Sequence, residues 1–500
     1  LEETEGVAGV YGKRKISGET GRYLQSRSDG WAAGLVLLLT RAGKDGIEPQ
    51  NLSRRAPEEI FDYFANELYD RMGARTRSIL LRTAFLPSLT GSMGKQLTGY
   101  GNAARILSYL SHHHYFIETV TNGEPSFRYH DLFREFLLSR ARKECSPAEL
   151  SRIRKTASEV LEESGQIEDA VSLLREDGEW EGLARVIEAH ARHLIRQGRG
   201  QTLQEWMEGL PKKMVGKNPW LSYWMGICRL PFAPGESRVL FEDAFRGFRL
   251  RSDPEGEFLS WAGIVDSIIY GPGNLKILDP WFSTLGELLQ SHRAFPDTEI
   301  EARVTCSALK AFALRRPSSV DMEKWSERAM DLARSTGDMA LRFCLIIKVA
   351  YHCFHGGDLQ ALGLHLESLR GLSRDPEITP LSRLELCWLE AGHANLTGEH
   401  DRCRKVVAEG LALSESTGIH LMDFLLMGHG ALCNLHLGDL KSAEGFLRKM
   451  ASALPQARPW ETAFYYYLAS WEALHRGNQA QAMFHSDHCL ALCTEFGNPW

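Results

Sequence analysis

The 500-residue sequence lacks most of the patterns that mark nucleic-acid binders, membrane proteins and secreted proteins. Its 58 basic and 64 acidic residues give a net charge of −6, and neither the first 150 residues nor the remainder has a large basic excess. A nucleic-acid surface is therefore not expected in this chain beyond a small local patch. The longest apolar runs fall well short of a membrane span, so no contact with a membrane is predicted.

The ten cysteines are scattered singly from Cys145 to Cys493, without a Cys-x-x-Cys pair. This spacing excludes a disulfide framework and a zinc ribbon, and it favours a reduced, cytoplasmic compartment. The chain also lacks Gly-x-Ser-x-Gly, His-Glu-x-x-His and a kinase catalytic loop. A GxxxxGK[ST] phosphate-binding loop is missing as well. We therefore assign no catalytic residue and expect no enzymatic activity from this chain alone.

The chain is too long to fold around a single hydrophobic core, so two to four domains are expected. The sequence begins at Leu1 rather than at a methionine, and it stops at Trp500, just past a helical repeat. We expect an internal segment of a longer protein.

Residues 51–145 have the pattern of a winged-helix domain. Three segments with apolar residues at helical spacing come first, the last of them around Leu107. A strand, a turn and a second strand follow, and Asn122-Gly123 supplies the positive φ angles of a type I′ turn. Three helices and a hairpin wing make up a winged helix.

The segment from Phe127 to Leu137 leaves this hairpin as a strand and opens a helix with His130 and Asp131 at its start. An imidazole at a helix start lies near backbone N–H groups that favour an anion. His130 is therefore a candidate for sensing a phosphate group. The alternative is a purely structural histidine that caps its own helix, with Asp131 as the N-cap.

Residues 1–50 have helical patterns. An apolar helix follows the cap-like pair Ser28-Asp29 and contains Gly30, Trp31 and Gly34. Glycine costs helix stability, so its presence indicates close approach of another backbone or of a ligand. The alternative is a buried helix that tolerates glycine.

From residue 146 onward every segment has a helical pattern, less regular over 146–215 and arranged as an array over 216–500. Glycines that precede a polar residue recur in the array with spacings of 41, 40 and 39 residues, and a second series has about twice that period. Such a period is typical of an α-solenoid of helical hairpins, similar to tetratricopeptide repeats. The first series is Gly357, Gly398, Gly438 and Gly477, and the second is Gly337, Gly418 and Gly497. The predicted fold class is mainly α, a winged-helix domain followed by this solenoid.

Several segments in order resemble the MalT-like family of large ATP-dependent transcription regulators, which belong to the signal-transducing ATPases with numerous domains. The resemblance extends over essentially the whole chain. It implies an ATPase module, a winged helix, a helical-repeat sensor and a DNA-binding domain of LuxR type or of SARP type. The phosphate-binding loop and the DNA-binding domain would then lie outside these 500 residues. The segments that carry the resemblance are 28–35, 129–137, 168–170, 178–181 and 202–211.

The resemblance also implies roles for individual residues. Residues 1–50 would be the helical end of the ATPase module, in which Gly30, Trp31 and Gly34 line the adenine pocket. His130, with Asp131, would sense the β-phosphate of bound ADP and hold the inactive state. ATP and ADP are the implied cofactors.

A function follows from this resemblance. A small-molecule inducer or a regulatory protein would bind the repeats and relieve the ADP-bound autoinhibited state, allowing self-association. DNA would be contacted through a domain outside this chain. The alternative is a non-enzymatic scaffold in which tetratricopeptide-like repeats bind a protein partner.

Aromatic side chains of the repeats are candidates for the effector-binding surface, because aromatics on a concave face can stack on a sugar or anchor a peptide. The alternative is that they fill the cores between hairpins. The candidates are Trp206, Trp220, Trp224, Trp261, Tyr465 and Trp471.

Two groups of histidines and cysteines have spacings that suit metal ligands. One is the segment from His352 to His355, and the other is His485, Cys489 and Cys493 on one helix face. The two cysteines occupy positions where the repeat needs small residues, so packing already explains them. No metal site is predicted.

Overall fold

The computed structural model of the protein describes residues 65–496, apart from residues 67, 114, 121–124, 272 and 317–318. The described residues are predominantly helical, which confirms the predicted fold class. The chain divides into two compact units, Leu1–Val186 and Ile187–Trp500. The predicted domain borders at residues 145 and 215 fall on either side of this division.

The first unit contains the predicted winged helix. Its three short strands form an antiparallel sheet in the order β1-β3-β2, in which Leu89 is opposite Phe127 and Ile117 is opposite Tyr129. The predicted hairpin is confirmed, while its turn at Asn122-Gly123 lies outside the described residues. The elements are α1 (Ala74–Thr83), β1 (Leu89–Thr90), α2 (Gly91–Thr98), α3 (Ala103–His112), β2 (Ile117–Val120), β3 (Ser126–Tyr129) and α4 (Asp131–Glu144).

Helix α2 and strand β1 were not expected from the sequence. The hydroxyl of Thr90 accepts a hydrogen bond from the backbone N–H of Met93 and so caps α2. A Cβ atom on Gly91 would lie 2.7 Å from Cβ of Ala104, so this glycine allows α3 to approach α2 closely. Tertiary packing thus forms a helix from a glycine-rich segment that has little helical propensity of its own.

The core of this unit lies beneath α4. Phe133 and Leu137 of α4 are fully buried, together with Tyr129 at the end of β3. The rings of Phe116 and Phe133 stack with centroids 5.0 Å apart. The sheet and α4 are therefore joined by aromatic packing directly beside the strand-to-helix junction.

Three longer helices and two short ones follow the winged helix. The hydroxyl of Ser146 caps the first of them by accepting a hydrogen bond from the N–H of Glu149. Pro147 occupies the first turn of this helix, where backbone N–H groups have no intrahelical acceptor, so its missing N–H costs no hydrogen bond. These helices are α5 (Pro147–Glu163), α6 (Ile167–Asp177), α7 (Trp180–Arg196), α8 (Gly200–Glu208) and α9 (Lys212–Val215).

The rest of the second unit is an array of helical hairpins, as predicted. The first helix of each hairpin packs against its own partner helix and against the first helix of the next hairpin. We call these first helices the inner helices: α10, α12, α14, α16, α18, α20 and α22. The helices are α10 (Pro219–Arg229), α11 (Pro234–Arg251), α12 (Pro254–Tyr270), α13 (Asp279–Ser291), α14 (Thr298–Arg315), α15 (Val320–Ser335), α16 (Met339–Gly356), α17 (Leu359–Leu372), α18 (Pro380–Leu396), α19 (His400–Thr417), α20 (Asp423–His436), α21 (Leu440–Ala453), α22 (Pro459–His475) and α23 (Gln479–Phe496), with 3-10 turns at Leu275–Leu278 and Leu454–Gln456.

The periodic glycines lie where an inner helix turns into its partner. Gly357, Gly398, Gly438 and Gly477 have φ angles of 77°, 79°, 74° and 74°, the left-handed conformation that only glycine adopts without strain. The next residue then starts the following helix, since the Asp358 carboxylate accepts from the N–H of Ala361. Of the second series, Gly418 has a positive φ of 68°, whereas Gly497 lies outside the described residues.

Candidate functional site

His130 lies at the junction of β3 and α4. It is the N-cap residue of α4, with an extended backbone (φ −60°, ψ 137°) and a half-buried side chain. Its N–H donates to the carbonyl of Phe116 at 2.9 Å, and its carbonyl accepts from the N–H of Arg134 at 2.9 Å. Both backbone groups of His130 are therefore fixed, one to the sheet side and one to the helix.

Asp131 is the first residue of α4 and is exposed. The alternative interpretation of the sequence, in which Asp131 is the N-cap, is wrong, because the residue with the extended N-cap conformation is His130. A carboxylate in the first turn still interacts favourably with the positive end of the helix dipole. His130 itself makes no side-chain cap hydrogen bond to this turn.

Residues on either side of His130 hold the junction in place. Tyr129 is 1% exposed, and its hydroxyl lies 2.5 Å from Oγ1 of Thr83. Thr83 donates its own hydrogen to the carbonyl of Ile79 at 2.7 Å, so Tyr129 is the donor of the pair. Burial raises the pKa of Tyr129 well above its usual value, which keeps this donor protonated.

One turn into α4, Arg134 ties the helix to the end of α1. Its Nε donates to the carbonyl of Ala84 at 2.9 Å. The start of α4 is thus a fixed helix N-terminus with an imidazole at the cap and amide N–H groups in the first turn, which suits a phosphate group. The other predicted nucleotide-sensing residues, Gly30, Trp31 and Gly34, lie outside the described residues.

The second unit contains a cavity of ≈ 850 Å³, within the size range of small-molecule sites. Helices α7, α8 and α10 form one part of its wall, and the early turns of α14, α16 and α18 form another. The apolar lining includes Trp224, Ile227, Phe232, Leu259, Ile300, Leu341, Leu381 and Ile419, and the polar lining includes Arg192, Arg196, Gln201, Gln204, Glu205, Glu208, Tyr223, Glu299, Arg303 and Thr379.

The arginines of the cavity wall are engaged in ion pairs. Arg192 contacts Glu255 at 2.6 Å, and Arg196 contacts Glu299 at 2.8 Å. These side chains remain between one third and one half exposed, so the arginines retain N–H donors and the carboxylates retain acceptor oxygens for further hydrogen bonds. The wall therefore offers polar groups of both kinds beside a large apolar surface.

Arg303 lies on the wall contributed by α14. It pairs with Asp266 of α12 at 2.7 Å. Burial alone would lower the pKa of Arg303, but the charge of Asp266 outweighs this and raises it. Sequence reasoning missed all three arginines, and the only available signal was the i, i+4 spacing of Arg192 and Arg196 on one face of α7.

The six predicted effector-binding aromatics occupy different environments. Trp224, 7% exposed, lines the cavity. Trp261 is fully buried and donates from Nε1 to the carbonyl of Trp281 at 2.8 Å, which places it in the core of its hairpin. Trp206 is also buried, and Trp220 packs on Phe248 with ring centroids 4.8 Å apart. Tyr465 and Trp471 pack against the core shared by α20, α21 and α22.

Within the part of the chain that the structure describes, no group of three or more His, Cys, Asp or Glu side chains is arranged to hold a metal ion. His355 instead packs on the rings of Tyr351 and Trp388, with centroids 4.5 and 6.2 Å away. Burial lowers the pKa of His355 to about 4. None of the described helices combines the length and apolar character needed to cross a membrane.

Comparison with known proteins supports this architecture. Residues 65–149 match the family model of the MalT winged helix domain. The HTH-type transcriptional regulators MalT of two Klebsiella pneumoniae strains are each 27% identical over 194 residues, which cover 38% of this chain and 21% of the relative. The match thus spans about a fifth of the length of these curated relatives.

A solved structure shares the fold. It is a signal transduction ATPase with numerous domains from Pyrococcus horikoshii that has a tetratricopeptide repeat sensor. The alignment covers 99% of this chain and 72% of that protein, with a TM-score of 0.56 and 15% identity. The chain therefore resembles the MalT-like regulators, with a winged helix of the MalT type followed by a helical array with the fold of a tetratricopeptide repeat sensor.

Proposed function

We propose that this chain is the winged-helix and sensor region of an ATP-dependent bacterial transcription regulator. The observation that carries the proposal is the position of His130, fixed at the N-terminus of α4 inside the segment that matches the MalT winged helix domain. In the off state, His130 and the first-turn N–H groups of α4 contact the β-phosphate of ADP. The phosphate-binding loop belongs to a part of the protein outside these residues.

The array is the proposed sensor, and its cavity is the proposed effector site. An inducer of drug-like size, or a segment of a regulatory protein, buries its apolar part against Trp224, Leu341 and Leu381. The ion-paired arginines of the wall then orient its polar groups. Binding of the effector favours an open state that exchanges ADP for ATP. The ATP-bound protein self-associates, and this association brings together DNA-binding domains located elsewhere in the cytoplasmic protein.

Effector and nucleotide are thermodynamically coupled in this proposal. If the effector weakens ADP binding by some factor, ADP weakens effector binding by the same factor. The proposed switch therefore requires only two states with different affinities at two sites.

The test measures release of a fluorescent ADP analogue (mant-ADP) from the full-length regulator. His130→Ala should speed release by about tenfold or more, the loss expected for one hydrogen bond to a charged group. It should also raise transcription from a reporter promoter without effector. His112→Ala, which alters an exposed histidine of the same domain, is the matched control and should leave both unchanged.

Unchanged release and unchanged basal transcription in His130→Ala would remove the sensing role. A full-length protein that binds no mant-ADP at all would favour the alternative function, a scaffold whose repeats bind a protein partner.

A further inference from the structure

Four inner helices meet at one buried carboxylate. Glu385 of α18 accepts a hydrogen bond from Nζ of Lys310 (α14) at 2.6 Å and another from Nζ of Lys348 (α16) at 2.5 Å. The hydroxyl of Tyr270, at the end of α12, donates to the same carboxylate. We call these four residues the Glu385 cluster.

The Glu385 cluster is closed to solvent. The exposed fractions of the Lys310, Lys348 and Glu385 side chains are 3%, 12% and 8%. Nζ of Lys310 also lies 3.8 Å from the centroid of the Tyr270 ring, a cation–π contact. Burial would raise the pKa of Glu385, but the two lysines hold it well below its usual range, so the carboxylate is charged.

The charges of the cluster do not cancel. Two lysines share one carboxylate, and burial lowers the pKa of Lys310 to about 8 even with Glu385 beside it. The loss of Glu385 would therefore leave two buried amino groups without a counter-ion among the four residues. Charge-assisted hydrogen bonds of this kind have a narrow range of favourable distances and angles. The cluster therefore selects one relative position for its four helices, at a cost in desolvation.

The same four helices form part of the cavity wall, through Leu259 (α12), Arg303 (α14), Leu341 (α16) and Leu381 (α18). Arg303 and Leu341 each precede the lysine of their own helix by seven residues, roughly 10 Å along the helix axis. The Arg303–Asp266 pair adds a second ionic link between α14 and α12 at the wall itself.

We propose that the Glu385 cluster couples the cavity to the arrangement of the array, by fixing the four helices that form the wall in one of two relative positions. A ligand that displaces Arg303 or Leu341 moves a helix whose lysine is held by Glu385, and a ligand that displaces Leu381 moves the helix that carries Glu385. The signalling part of this inference rests on the proposed function, while the ordering of the four helices does not.

The first test measures amide hydrogen exchange by mass spectrometry on the 500-residue chain without ligand. We call the N-terminal halves of α12, α14, α16 and α18, which contain Leu259, Arg303, Leu341 and Leu381, the four wall segments. Glu385→Gln should speed exchange in all four wall segments together, by roughly two orders of magnitude, the effect of breaking a buried ion pair. The matched control is Glu390→Gln, on the same helix, whose partners Arg370 and Arg402 lie on α17 and α19, outside the set of inner helices. Its effect should be confined to α17, α18 and α19.

A second variant, in which the charged side chains of the cluster are replaced by apolar ones, keeps the test decisive if Glu385→Gln fails to fold. Lys310→Met, Lys348→Met and Glu385→Leu combined keep the volume and remove all three ions, a replacement that often preserves the fold. We expect this variant to fold and to show faster exchange at the four wall segments only. Wild-type exchange there, or acceleration restricted to the neighbourhood of residue 385, would overturn the proposed ordering role.

The second test places the same triple variant in the full-length regulator, with the reporter promoter as readout. The variant should raise basal transcription at least several-fold in the wild-type background. It should have no further effect when combined with His130→Ala, since the switch is then already released. If His130→Ala activates but the triple variant behaves like Glu390→Gln, the coupling role fails and the proposed function stands. If His130→Ala is inert, the proposed function fails, and the exchange experiment still decides the ordering role.

Discussion

Asn395 of α18 and His429 of α20 form a buried polar pair between neighbouring inner helices. The amide nitrogen of Asn395 donates to the backbone carbonyl of His429 at 3.0 Å and lies 3.3 Å from its Nδ1. Because the amide nitrogen is a donor, Nδ1 of His429 acts as an acceptor, which requires the neutral imidazole. Burial lowers the pKa of His429 from its usual 6.5 to about 4.

Acid should therefore destabilise the array through His429. Between about pH 6.5 and pH 4 the unfolded chain binds a proton that the folded chain does not, so stability falls as the pH is lowered through this window. His429 should account for about 3 kcal/mol of this loss. Denaturant titrations at several pH values should show a shallower pH dependence for His429→Gln. An identical dependence for His429→Gln and for the control at exposed His475, His475→Gln, would contradict the assignment.

The inner helices α20 and α22 should not tolerate a side chain at Gly428. A Cβ atom there would lie 2.2 Å from Cε1 of Phe464, so Gly428→Ala must displace this ring and should cost at least ~2 kcal/mol. Gly445→Ala is the matched control, because it lies on an exposed face of α21 with nothing within 4 Å. The control should stabilise by about 0.5–1 kcal/mol, as expected for glycine to alanine inside a helix. Thermal or urea unfolding distinguishes the two signs, and equal effects would refute the packing argument.

Tyr129→Phe should weaken the junction that positions His130. It removes one buried hydrogen bond but leaves Thr83 bonded to the carbonyl of Ile79, so the expected cost is about 1 kcal/mol of unfolding free energy. The exposed Tyr109 provides the control, and Tyr109→Phe should change stability by less than about 0.5 kcal/mol. If the two substitutions shift the urea midpoint equally, the Tyr129 hydroxyl contributes nothing to the junction.

Cys228 should react slowly with thiol reagents although it lines the cavity. It is 5% exposed, and burial raises its pKa to about 12, so little reactive thiolate is present at pH 8. Alkylation of the native chain by iodoacetamide, followed by mass spectrometry, should be on the order of a hundredfold slower at Cys228 than in guanidinium-unfolded chain. Rapid modification of the native protein would show that the cavity wall opens readily.

The predictable parts of the fold are those specified by local chemistry. The left-handed turn conformation requires glycine, so Gly357, Gly398 and Gly438 marked the hairpins in the sequence. The hairpin before His130 was likewise predictable from strand composition and a turn dipeptide. Helix α2 was not, because its packing on Ala104 outweighs the poor helical propensity of Gly91 and Gly94.

The same distinction between local and long-range determinants applies to the candidate sites. His130 was singled out by its place at a strand-to-helix junction, which is visible in the local sequence, together with the resemblance to the MalT-like family. The cavity could not, because Arg192, Arg303 and Leu381 come together only after many helices have packed. Aromatic residues did not distinguish a binding surface from the core, because a large apolar side chain such as Trp261 is also stabilised by full burial between helices.

The turns of the array have a consequence for how such proteins change over evolutionary time. At Asp358 and Asp439 the residue that follows the turn glycine caps the next helix, so two adjacent residues set the turn between an inner helix and its partner. A duplication or deletion that runs from one such turn to the next adds or removes one complete unit of about 40 residues, a partner helix and the inner helix that follows it.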